Sequence, residues 1–159
     1  MKTLLDEFHT SFLHAAVYAD GVLRVVVAEG FRAPEPEDLI VAGHVFDDTF
    51  AICTSKESRL IEVQFKRPIA WQVVDESFTT ANDYELRDDN CTLQVLTRSP
   101  YLDYVRANHG WFEDIRGSGK HYRIWTENDV VDVVGCEPPR VCRTVANDHQ
   151  QAPSSGTFE

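Results

Sequence analysis

Neutral imidazole is the usual metal ligand and general base, so the six histidines are the first residues to test. His9 and His14 stand five apart, which misses the i, i+4 spacing that puts two ligands on one helix face. His44 shares a strand face with Ala42 and Phe46, three residues before Asp47, and suits a core or boundary histidine better than an acid–base pair. His121 precedes Tyr122 in a strand and reads as a cross-strand packing residue. His109 falls at the end of a short helix, where the dipole favours its charged form. Gly117-Ser118-Gly119 is no nucleophile elbow, because its glycines adjoin the serine and a strand follows where the elbow needs a helix. Gly119-Lys120 lacks the rest of a phosphate-binding loop. Cys53, Cys91, Cys136 and Cys142 form no CxxC, and the last two flank Glu-Pro-Pro-Arg-Val at a spacing foreign to common zinc knuckles. The acid pairs Asp47-Asp48, Asp75-Glu76, Asp88-Asp89 and Glu113-Asp114 have the residue types of a glycosidase couple, but neighbouring acids in loops are ordinarily solvated. The pattern names no catalytic residue, metal ligand or cofactor.

Charge is more informative than motif. Fifteen Lys and Arg stand against 26 Asp and Glu, a formal charge of −11, which repels nucleic acid and anionic bilayers and complements a basic macromolecule. The 159 residues are 43% hydrophobic and 26% charged, as in an ordinary globular domain of this length, which needs no disulfide or metal staple. Asp6 and Glu7 interrupt the N-terminus before any apolar run, so no signal peptide is expected there, and no window approaches the ~18 apolar residues of a bilayer span. A cytoplasmic protein with reduced thiols is the resulting expectation.

The elements follow from periodicity. A short helix is expected over 3–10, with Thr3 as cap and Leu4, Leu5, Phe8 and Phe12 on one side. Asp20-Gly21 separates two β-rich runs, Phe12 to Ala19 and Val22 to Ala28, as a type I′ hairpin turn. Gly30 to Asp38 reads as a loop, Leu39 to Phe46 as a strand, Asp47-Asp48 as a turn, and Thr49 to Thr54 as a strand. Between Arg59 and Lys66, Ile61, Val63 and Phe65 alternate with Glu62, Gln64 and Lys66, and after Arg67-Pro68 the beat resumes at Ile69, Trp71 and Val73. Cys91 to Thr97 is a strand; Ser99-Pro100 then caps a helix over 100–109 whose packed face is Tyr101, Leu102, Tyr104 and Val105. His121 to Trp125 and Val130 to Val134 make a third hairpin around a four-residue loop, and Pro138-Pro139 ends it. The expected fold is α+β, mainly one antiparallel sheet of about eight strands with one or two short helices packed on it, in a single domain over 1–147 with a flexible tail over 148–159.

One surface stands out. The stretch 75–89 carries Asp75, Glu76, Asp83, Glu85, Asp88 and Asp89 against Arg87 alone, a net of −5 in what reads as a solvated loop. Trp111-Phe112-Glu113-Asp114 places two large apolar side chains beside two acids ahead of a glycine turn, and aromatics rimmed by charge are typical of binding surfaces.

Val74-Asp75-Glu76-Ser77, Ser99-Pro100-Tyr101-Leu102-Asp103-Tyr104-Val105, His121-Tyr122-Arg123-Ile124 and Val130-Val131-Asp132-Val133-Val134 with Pro138-Pro139 follow one another in an order that resembles small bacterial proteins of the toxin-immunity type, over about residues 60 to 140. The resemblance implies a cytoplasmic α+β protein without catalysis that binds and blocks a cognate toxin. Charge makes a basic toxin the natural partner, met through the 75–89 loop with Trp111, Phe112, Glu113 and Asp114. The alternative is a small ligand-binding or hydrolytic domain with a pocket near His44, His121 and Tyr122.

Overall fold

Asp20 and Gly21 adopt φ angles of 51° and 75°, the two positive values that a type I′ turn requires, and so fold β1 (Ser11–Ala19) back on β2 (Val22–Glu29). The computed structural model describes residues 2–80, 82–88 and 91–145. β2 continues outward through β3 (Phe31–Arg32) and β4 (Glu37–Val41), turns, and returns through β5 (His44–Thr49) and β6 (Ile52–Cys53) into β7 (Leu60–Lys66). β7 lies between β2 and β13 (Arg140–Thr144), completing a four-stranded sheet in the order β1-β2-β7-β13.

Arg67, at φ 45°, and Pro68, which has no N–H to give a ladder, end β7 and carry the chain into a second sheet. That sheet contains β8 (Ala70–Asp75), β9 (Leu86–Arg87), β10 (Leu93–Arg98), β11 (Lys120–Trp125) and β12 (Asp129–Gly135) in the order β8-β12-β11-β10-β9. Every pairing in both sheets is antiparallel. The α+β class and antiparallel pairing match expectation. The single sheet of about eight strands does not: the strands divide among a four-stranded sheet, a five-stranded sheet and two two-stranded ribbons.

Alternation explains the division. Leu23, Val25 and Val27 of β2 and Ile61, Val63 and Phe65 of β7 face Leu93, Val95, Tyr122, Ile124, Val131 and Val133, so two half-apolar sheets bury one another. Burying each such side chain contributes roughly 1.5–3 kcal/mol. The outer face of the five-stranded sheet is closed by α1 (Pro100–His109) and α2 (Phe112–Arg116), whose Leu102, Val105 and Phe112 pack on Val134.

Local readings fared unevenly. Thr3 caps a 3-10 turn at Leu4–Glu7 in place of the longer helix expected. The strand expected over Leu39 to Phe46 is broken by Ala42 and Gly43, at φ 50° and 83°, into β4 and β5, and Asp47-Asp48 lies within β5. Ser99 and Pro100 start α1 as expected, but Tyr104 points to solvent. The tail expected to be flexible over 148–159, and Asp89, lie outside the described residues.

Candidate functional site

Two neighbouring features on the helix side of the five-stranded sheet carry the chemistry: a buried polar row and the surface above it. Cross-strand register sets Gln94 opposite Arg123, Arg123 opposite Asp132, and Asp132 opposite Gln72. A lone acid between Val131 and Val133 cannot sit in an apolar strand unpaired. Asp132 Oδ1 receives Arg123 Nε at 2.7 Å and lies 2.7 Å from His121 Nε2, while Oδ2 receives Gln72 Nε2 at 3.0 Å. His121 Nδ1 is 2.7 Å from Ser99 Oγ, which also accepts the Leu102 N–H at 3.0 Å as the cap of α1. Arg123 extends the chain outward to Glu85, with its Nη1 donating to both carboxylate oxygens. Burial alone would raise the Asp132 carboxyl, but the hydrogen bonds and charges of His121 and Arg123 more than reverse it and hold it at about 2. Burial, with Asp132 adding to it, pushes the Tyr101 hydroxyl up to about 12.

Ser99, His121 and Asp132 have the residue types of a nucleophile, base and orienter. Their setting denies that chemistry: Ser99 and His121 have no exposed surface, so no substrate carbonyl reaches Oγ. The ring bridges the two groups, with Nδ1 on Ser99 Oγ and Nε2 on Asp132 Oδ1. The cluster is a strut that fastens α1 to the sheet. His44 lies exposed on β5, and Tyr122 faces the inter-sheet core beside Phe65, so the structure does not bring His44, His121 and Tyr122 together. A depression of about 260 Å³ elsewhere is walled by Phe8, Leu60 and Ile61. Arg59 and Arg143 at that depression both already bond Glu7.

The expected partner-binding residues separate into inward and outward groups. Phe112 is buried under α2, Glu85 is spent on Arg123, and Glu113 accepts from Arg106 and the Gly119 N–H. Glu76 accepts from Trp125 Nε1, and Asp88 accepts from the Val95 N–H. The 75–89 stretch therefore meets the sheet at Glu76 and again over 85–88, with a 3-10 turn at Glu76–Phe78 and the short strand β9. Asp75, Asp83, Asp114 and Trp111 face solvent. Tyr84 Oη donates to Asp103 Oδ2 at 2.7 Å and Arg98 donates to the Tyr84 carbonyl, joining the acidic stretch to α1.

Sequence reasoning missed the strut. The signal was present as an acid isolated in Val-Val-Asp-Val-Val, two residues in from a hairpin whose register sets it against Arg123. It also missed Ile115, 69% exposed and one helical turn beyond Trp111, which is 73% exposed. Among the described residues no three His, Cys, Asp or Glu converge as a metal set, and no helix is long and apolar enough to cross a membrane. Compared with protein-family models, curated proteins and solved structures, the chain matches none.

Proposed function

We propose that this chain is an acidic binding protein of the inhibitor or immunity kind, which recognises a basic protein partner and neutralises it by covering its surface. The observation that carries this reading is the outward display of Trp111, at the start of α2, and Ile115, on α2, beside Asp114 and on the helix layer to which Tyr84 and Asp103 tie the acidic stretch. Large exposed apolar groups next to carboxylates supply both parts of a binding surface: a desolvated anchor and a steering field. The formal charge of −11 selects a basic partner and disfavours nucleic acid. A cytoplasmic setting and a toxin as target belong to this proposal. The small-ligand alternative lacks comparable support, since His121 is sealed.

The test is binding kinetics against a panel of basic protein toxins, at least one of which the wild-type chain should bind. Trp111→Ala should raise the off-rate about tenfold or more, as expected of an aromatic hot spot. Equal off-rates for wild type and variant would remove Trp111 from the interface.

A further inference from the structure

The ribbon formed by residues 31–53 offers a second docking element on a different part of the molecule. It is the outer half of the β2–β7 hairpin, with β3 paired to β6 at its base and β4 paired to β5 at its tip. In β4 and β5, Leu39 opposes Phe46 and Val41 opposes His44 on one face, while Ile40 opposes Val45 on the other. Leu39, Ile40, Val41, Val45 and Phe46 each leave more than half of their surface exposed. A two-stranded ribbon is marginal in water by itself, and this one is apolar on both faces. Its paired strands are also edges, each with outward backbone groups that a further strand could meet.

Charge decides what covers it. The segment holds Glu35, Glu37, Asp38, Asp47 and Asp48 against Arg32, a net of −4, and Arg32 is stacked on Phe50 at 3.5 Å. A second copy would bring the same acids against these, at a cost that grows as water is excluded. A basic protein with an apolar cleft would instead pair both features.

We propose that the 31–53 ribbon is an insertion arm that enters an apolar, cation-rimmed cleft of a basic protein, gripped on Ile40 and Val45 on one face and Leu39 and Phe46 on the other. The proposal rests on the reading of the chain as an acidic binding protein and adds the element that reaches into the partner. Because the arm joins two core strands and its apolar groups are solvent-exposed, substitutions at its tip leave the body folded.

The experiment uses the full chain, with a short peptide of alternating Lys and Val as the cationic, apolar probe. Amide hydrogen exchange at low and physiological salt should show the outward amides of β4 and β5 slowed about tenfold or more by the peptide, with the effect weakened by salt. Ile40→Lys with Val45→Lys should abolish the slowing while thermal melts stay unchanged. Exchange at 37–49 that ignores the peptide would overturn the proposal. So would sedimentation showing a dimer whose 37–49 amides are protected without peptide, since a second copy would then be the occupant. Failure of the binding reading is distinguishable: the wild-type chain would then bind no basic protein of the panel, whatever the peptide does at the arm.

Discussion

His121 Nε2 and Asp132 Oδ1 lie 2.7 Å apart with both side chains sealed from solvent, and this contact ties the hairpin of β11 and β12 to the cap of α1 through Ser99. The Asp132 carboxyl is held at about 2 in the folded chain against an ordinary value of 3.8. Its folded value is depressed, so its contribution to stability is complete above about pH 4 and is lost as pH falls through about 2, amounting to about 2 kcal/mol. Acid unfolding followed by far-UV circular dichroism should show this limb, and Asp132→Asn should flatten it while lowering stability near neutrality by about 3 kcal/mol.

Ser99→Ala should remove the α1 cap and leave Nδ1 of His121 without its hydroxyl, together about 2 kcal/mol. Because the serine is a strut, binding kinetics of the variant should equal those of wild type once the protein is folded. Denaturant melts and binding traces on one preparation check both halves.

Glu85 and Asp83 belong to the same acidic stretch and should behave oppositely. Glu85→Gln removes one of the two carboxylates on buried Arg123, which keeps Asp132, and should cost about 1–2 kcal/mol, whereas Asp83→Lys should change stability by less than about 0.5 kcal/mol. Denaturation midpoints distinguish them.

These contrasts show what was legible in the sequence. Positions set by local rules could be read directly: Asp20-Gly21 for the positive φ pair, Ser99-Pro100 for the helix start, and the alternation of Ile61, Val63 and Phe65 for one buried face. What depended on non-local packing could not. Phe112 and Glu85 look like binding residues in a local window, and only the sheet beneath them turns them inward. The partition into two sheets hinges on Arg67-Pro68, which reads locally as a mere interruption of a strand. The ribbon tip was hidden because Ala42 occupies a left-handed position that favours Asn or Gly.

That strain gives a further expectation. Ala42→Asn should relieve the φ of 50° and stabilise the ribbon by about 0.5–1 kcal/mol, seen as slower amide exchange over 37–49 with no change in the two-sheet core.

The association rate with a basic protein toxin that the wild-type chain binds, measured by stopped flow at low and physiological salt, tests the central claim most directly. An acidic binding protein should associate faster at low salt, and Asp83→Lys with Asp114→Lys should slow association and flatten the salt dependence while leaving the melt unchanged. An association rate indifferent to both salt and these reversals would contradict the account.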